Sequence, residues 1–467
     1  MGKRTKVSDF VQRHFQIIIG GLALATIAFL FLYRLGSAPM GLTKEETASA
    51  VISGYANPLR DIVNLPWLMW QGLFIKVLGL SALSVRLPAA ILGVAGTIAL
   101  WRILIKMTDR SSALFGTLIA ATSTLYMGLS RTGTASIMTI LLVELVILFG
   151  LRAYKGERGL IMAAICWGLL IFMDSGWIVA LALVAVVVLH PQLRLWLMSD
   201  KSRLARAVIY GGVFALLYIG LAIIGLGAGW KCPLGSFGRP SIDNLTTSLG
   251  AMFSADSHLS GGLVTPFISI IGLTLAALGL VSILRDCAYC IRAYLVIGLL
   301  ALTLGLSLFN PQVGYLIFLP LALSTTVAIS ELIHGWYGIF PRNPYARGFA
   351  VAPLVLLICS LCTLNVGRYF MAINYNPAVA YGYNYGVSAV LDIVNSGDDK
   401  YTLVTSDDEA PLYQLIKADN LSTESKAPRR GKAIVLGEAK APSGFKLKYV
   451  ATNGLSHDNI VARVYER

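Results

Sequence analysis

Apolar runs recur along this chain, several of roughly 18 or more residues, and the loops between them carry its basic residues. A helix of about 20 residues crosses the hydrocarbon core of a bilayer. Eleven runs read as such helices: 16–33, 87–105, 113–129, 135–151, 160–173, 177–189, 207–226, 263–284, 293–309, 313–332 and 349–364. Of the 467 residues, 56% are hydrophobic and 13% charged. A soluble fold of this length has no interior large enough to hide that much apolar surface. The sequence therefore predicts a mainly α, polytopic membrane protein.

The net charge of +14 raises the question of nucleic acid. Its distribution answers against one, because the cations sit in short clusters rather than on a continuous face. Arg102, Lys106 and Arg110 share one loop; Arg152, Lys155 and Arg158 the next; Arg194, Lys201, Arg203 and Arg206 a third; then Arg285 with Arg292, and Arg342 with Arg347. The intervening short loops hold Arg131, or Lys231 and Arg239, or no cation at all. This alternation is the positive-inside pattern. It predicts a plasma-membrane protein with a cytoplasmic N-terminus and a retained first helix.

Composition changes after the last run. Tyr401–Thr405, Lys432–Leu436, Lys446–Ala451 and Asn459–Tyr465 read as strands and Ala410–Ala418 as a short helix. The expected organisation is a membrane domain over 1–370 with a long first outer loop at 34–86, a linker over 371–395, and a small extracytoplasmic α/β domain over 396–467. The six cysteines lack the companion pairs or histidines of a metal or disulfide framework.

Chemistry concentrates in the first outer loop. Glu45 and Glu46 follow Thr43 and Lys44 directly after the first run. Adjacent carboxylates at a membrane surface suit a general base or a divalent cation. On a helix they point about 100° apart, so they do not share one task closely. Thr43 with Glu46 three residues later also spells a capping box, which would leave Glu45 free. Arg60, Asp61 and Asn64 follow, and Arg86 immediately precedes the second run. These arginines either fork onto phosphate oxygens or snorkel at the interface. Arg131 is a lone cation in an outer turn, against the charge bias, which suggests an anionic partner. Asp174 stands between two runs, a site-lining group or a wet turn. His258 lies in the loop 230–262, where a single histidine is more often a surface residue.

Five stretches together resemble the GT-C membrane glycosyltransferases that use polyprenyl-phosphate sugars, the class of protein O-mannosyltransferases and lipid A aminoarabinose transferases. They are Leu42–Ala48 with its acidic pair, Leu65–Leu68, Leu80–Ala90 with Arg86-Leu87-Pro88, Leu129–Gly133 around Arg131, and Trp167–Leu170 opening into Asp174–Trp177. The likeness spans about Tyr33 to Leu332. The family often has Asp-Glu where this chain has Glu45-Glu46, and an acidic residue near Ser136. The resemblance implies transfer of a sugar, with inversion, from a polyprenyl-phosphate donor to an extracytoplasmic glycan, lipid or protein. Glu45 or Glu46 would be the base. Arg86 and Arg131, with Arg60 behind them, would bind the phosphate, and Asp61, Asn64, Asp174 and His258 would line the site. No resident cofactor is implied, a divalent cation remaining open. The alternative is a catalytically degenerate protein that binds or transports lipid-linked sugars.

Overall fold

The computed structural model describes residues 6–467 except 40, 55–62, 157–158, 228–237, 255–262, 287–289, 340–343, 377–381, 397–398, 407–408, 419, 425–430, 437–442 and 454–455. Arg60, Asp61 and His258 lie outside the described residues.

In order the chain forms α1 (Lys6–Leu32), β1 (Leu42–Thr43), α2 (Lys44–Gly54), α3 (Leu65–Leu78), α4 (Ala82–Met107), α5 (Arg110–Thr122), α6 (Thr124–Arg131) and α7 (Ser136–Tyr154). Then come α8 (Leu160–Ile171), α9 (Gly176–Leu189), α10 (Pro191–Met198), α11 (Lys201–Gly227), α12 (Ile242–Phe253), α13 (Ile270–Asp286), α14 (Ile291–Ser307), α15 (Phe318–Ile339) and α16 (Pro344–Tyr375). The C-terminal part adds β2 (Tyr383–Asn384), α17 (Gly386–Asn395), β3 (Tyr401–Val404), α18 (Ala410–Tyr413), β4 (Leu421–Glu424), β5 (Lys432–Leu436), β6 (Lys446–Asn453) and β7 (Ser456–Glu466).

Most of the apolar runs fall on one of these helices, with 113–129 on α5 and α6 together, 313–332 starting in a 3-10 helix (Pro311–Ile317) ahead of α15, and 263–284 helical only from Ile270. By length and composition, five helices among the described residues are able to cross a membrane, or seven when the bent pairs α5–α6 and α9–α10 each count as one span. Helix α11 carries large apolar side chains on its outside: Val208 is 64% exposed, Leu216 70% and Ile223 65%. Such a surface belongs in lipid. The bends have local causes. At Ser123 the hydroxyl accepts from Tyr126 N–H and starts α6 at 62° to α5. At His190 the Nδ1 accepts from Leu193 N–H, and Pro191 opens α10 at 88° to α9.

Small residues let the helices close up, as is usual in membranes. A Cβ on Gly279 of α13 would collide with the Ser324 carbonyl of α15, and one on Gly116 of α5 with the Thr326 hydroxyl. Tyr126 ties α6 to two neighbours. Its hydroxyl donates to Gly93 O at 2.9 Å, and its ring stacks on Phe318 at 4.5 Å.

The strands β3 to β7 form one mixed sheet in the order β4-β3-β5-β7-β6. Strand β3 runs parallel to β4 and β5, and β7 antiparallel to β5 and β6. The sheet does not stand apart from the helices. One apolar cluster joins Leu403, Ile434 and Val464 of the sheet to Leu42, Ala50, Ile75 and Val85 of the first loop and its flanks.

Two details differ from the sequence reading. Residues 371–395, read as a linker, hold the end of α16, then β2 and α17. Helix α17 buries Val387, Val390, Ile393 and Val394 on one face, a helical spacing inside a stretch otherwise rich in Asn and Tyr. Helix α4 begins before the apolar run, because Ser81 and Ser84 form a reciprocal cap. Arg86 is therefore inside α4 rather than ahead of it.

Candidate active site

The first loop folds into α2 and α3, packed across the end of the bundle where α4 begins. The capping box is present: Glu46 N–H donates to Thr43 Oγ1 at 3.1 Å, and Thr43 N–H donates to Glu46 Oε2 at 2.8 Å. Glu46 does more than cap. Its Oε1 also accepts from Arg86 Nε at 2.7 Å and Gly133 N–H at 2.8 Å, and its Oε2 from Arg86 Nη2 at 3.0 Å. Glu46 is fully buried, and both carboxylate oxygens are saturated. It joins α2, α4 and the turn after α6.

Arg86 is equally committed. Beside its two bonds to Glu46, Nη1 donates to the carbonyls of Leu35 (3.4 Å) and Pro39 (2.6 Å), and Nη2 to that of Gly41. All five N–H donors of a guanidinium thus meet protein acceptors. Arg131, 2% exposed, turns toward the end of α1. Its Nη1 donates to Leu30 O, Phe31 O and Tyr33 O at 2.8 to 3.0 Å, and its Nη2 to Ala38 O at 3.1 Å. A helix C-terminus leaves carbonyls without partners and carries partial negative charge, so a buried cation belongs there. The guanidinium also lies over the rings of Phe370 (5.0 Å) and Tyr369 (5.7 Å) of α16.

These contacts bear on two expectations. Arg86 gives all five N–H groups to the chain's own carboxylate and carbonyls, and Arg131 gives both Nη groups to carbonyls while its buried Nε has no partner among the described residues. Glu46 has no lone pair left for a proton or a divalent ion shared with Glu45. The anionic partner that the exceptional cation Arg131 implied is the α1 terminus.

Glu45 is different. It is half-buried at the start of α2, and among the described residues its carboxylate has no hydrogen bond or ion pair. Lys44 beside it is exposed and likewise without a partner. Asn64 and Asp174 come together as a joint between loops. Asn64 takes a left-handed backbone (φ 63°), its N–H donates to Phe172 O at 2.7 Å, and its Oδ1 accepts from Asp174 N–H at 2.8 Å. The Asp174 side chain lies within electrostatic reach of Tyr315, whose hydroxyl meets Ser136 and Thr139. Arg34, Asn64 and Ser175 are the non-glycine residues with positive φ among those described. All three flank the first loop or the turn it touches, which is where functional sites store backbone strain.

Gln71 was not singled out in the sequence. It is fully buried in α3 and makes four hydrogen bonds. Its Oε1 accepts from Ser49 (2.6 Å) and Ser53 (2.9 Å) of α2, and its Nε2 donates to Val85 O and Gly133 O, both at 3.2 Å. Trp67 adds a bond from its indole N–H to Ser49 at 2.9 Å. The available signal is a glutamine in the middle of a helix whose other polar side chain, Lys76, lies in its last turn. Among the described residues, no group of three or more His, Cys, Asp or Glu is placed to hold a metal ion.

The structure has the fold of the GT-C membrane glycosyltransferases. Within it, residues 63–220 match the family model of the dolichyl-phosphate-mannose-protein mannosyltransferases. The match begins after the acidic pair. The structure is similar to ArnT from Cupriavidus metallidurans bound to undecaprenyl phosphate, with a TM-score of 0.55 and 14% identity, over 97% of this chain and 98% of that one. It is also similar to the oligosaccharyltransferase of Archaeoglobus fulgidus tethered to an acceptor peptide, with a TM-score of 0.53 and 11% identity, over 87% of this chain. The chain spans 64% of that archaeal protein's length. No curated protein sequence matches it significantly.

Proposed function

We propose that the protein is a membrane glycosyltransferase that moves a sugar from a polyprenyl-phosphate donor to an acceptor hydroxyl at the outer membrane face, with Glu45 as general base. The chain passes the plasma membrane eleven times from a cytoplasmic N-terminus, which leaves the first loop and the C-terminal sheet outside. The single observation that carries the assignment is the contrast within the acidic pair. Glu46 is saturated by four hydrogen bonds from Thr43, Arg86 and Gly133, whereas Glu45 is held beside it with its carboxylate uncommitted among the described residues.

The donor's tail lies in lipid and its sugar at the outer face, so a site at the bundle end meets both. Glu45 takes the proton as the acceptor oxygen attacks the anomeric carbon. The new C–O bond forms as the bond to the phosphate oxygen breaks, and the polyprenyl phosphate leaves with the electron pair. Attack opposite the leaving group inverts the anomeric centre. Because Arg86 and both Nη groups of Arg131 are committed elsewhere, the phosphate is met by Lys44, exposed at the start of α2, and by Arg60, which lies outside the described residues. Asp174, anchored by Asn64, faces the acceptor.

The test is turnover of a radiolabelled polyprenyl-phosphate hexose by the purified protein, with glycan and glycolipid analysis of cells carrying Glu45→Gln. Loss of transfer at unchanged protein level is expected. Binding of the lipid without turnover would instead identify a carrier of lipid-linked sugars.

A further inference from the structure

The segment after the last membrane helix reaches back to the acidic loop at two points, and these points bracket the helix that carries Glu45. Strand β1 has one partner, β2, with Leu42 opposite Asn384 and Thr43 opposite Tyr383. Gly41 permits the approach, because a Cβ there would lie 2.8 Å from Tyr383 Cβ and 3.0 Å from Asn384 O. Tyr383 is 6% exposed, and its ring lies 5.9 Å from the Arg86 guanidinium that grips Glu46. At the other end of α2, a Cβ on Gly54 would collide with Leu415, and Leu415 O accepts from Leu80 N–H at 3.3 Å. Beyond it the Lys417 ammonium donates to Lys76 O at the end of α3.

Helix α2 has 11 residues. A helix that short has little stability of its own and takes its order from what packs on it. The membrane side supplies Gln71 and Arg86. Among the described residues the C-terminal segment packs on it from the other side, through Leu415 and the shared apolar cluster, with β2 holding β1 just ahead of it. Two residues of strand pairing are likewise too little to persist unless packing holds them.

We infer that Tyr383 and the strand it begins are positioning elements of the reaction, fixing Glu45 at the N-terminus of α2, so that the C-terminal segment is part of the active site rather than an appendage. The inference rests on the proposed role of Glu45 for its meaning, but the geometry it asserts is measurable without that role. Tyr383 acts through β1 and Arg86 and need not touch substrate.

The experiment uses the full chain in native membranes with Glu45→Cys as a reporter, labelled by an impermeant maleimide. Adding Tyr383→Ala is expected to raise the labelling rate about tenfold, as local opening of α2 becomes cheaper. Adding Tyr383→Phe is expected to leave the rate within about twofold, since the ring and the strand both remain. Leu415→Ala, at the far end of α2, provides a second route should Tyr383→Ala accumulate poorly. In the Glu45 background, transfer from a polyprenyl-phosphate hexose by Tyr383→Ala is expected to lose kcat with the donor KM retained, and Tyr383→Phe to restore it. An unchanged labelling rate in both Tyr383→Ala and Leu415→Ala overturns the inference. A raised rate in chains whose Glu45→Gln variant still transfers sugar would leave the clamp standing and remove the assigned base instead.

Discussion

Arg86 meets Glu46 in a two-pronged ion pair, Nε to Oε1 at 2.7 Å and Nη2 to Oε2 at 3.0 Å, with both side chains at most 1% exposed. A buried pair of this kind is a weak source of net stability when whole, but breaking it strands a charge. Arg86→Ala and Glu46→Gln are each expected to cost about 3–5 kcal/mol. Arg86→Lys should recover little, because one ammonium cannot replace a planar fork with five donors. The double variant Arg86→Met with Glu46→Leu should recover only part, since Pro39 O, Gly41 O and the N–H groups of Thr43 and Gly133 lose their partners. Thermal unfolding in detergent checks all four.

Glu45→Gln separates the neighbours. Glu45 has no bond to lose among the described residues, so the melting temperature of Glu45→Gln should match the parent protein. Its transfer rate should fall by about 10²–10⁴, the usual contribution of a general base. Equal thermal loss in Glu45→Gln and Glu46→Gln would contradict the division of labour between them.

At Asn64 the backbone and the side chain can be tested apart. Asn64→Gly keeps the left-handed turn and removes the bond to Asp174 N–H, at a cost of about 1 kcal/mol. Asn64→Ala loses the bond and adds about 1–2 kcal/mol of backbone strain. Both should lower transfer, the alanine variant more. Equal stability of the two would show that the positive φ is not maintained.

Glu144 of α7 is fully buried, and neither carboxyl oxygen has a hydrogen-bond partner among the described residues. It lies with the Tyr126 hydroxyl against Gly96 of α4. An unsatisfied polar group of this kind destabilises by about 1–3 kcal/mol. Glu144→Met, similar in length and apolar, is expected to raise the melting temperature, while Glu144→Ala should lower it by opening a cavity.

The sequence made the apolar helices and four of the five strands of the C-terminal sheet legible, β4 being missed, because apolar runs and their alternation are local signals. It also spelled the capping box, since Thr43 and Glu46 are three residues apart. What it concealed is long-range. The pairing of Arg86 with Glu46 spans 40 residues and depends on where α4 starts, which two serines decide rather than the apolar run. Arg131 read as a site cation because a lone charge in a turn says nothing of the carbonyls that another helix will bring to it. Gln71 gave only its oddity in an apolar helix. Tyr383 stood in a stretch read as linker, and two residues of strand leave no periodicity to detect.

The pairing of Leu42 with Asn384 also fixes when the protein can work. During synthesis the acidic helix is made early, and its outer brace arrives roughly 340 residues later, about 20–70 s at ordinary elongation rates. Until then the half-built chain carries its carboxylate without the frame that aims it. On the proposed assignment, the order of the gene thus acts as a timer, because the brace on the helix that carries Glu45 is the last part of the frame to be made.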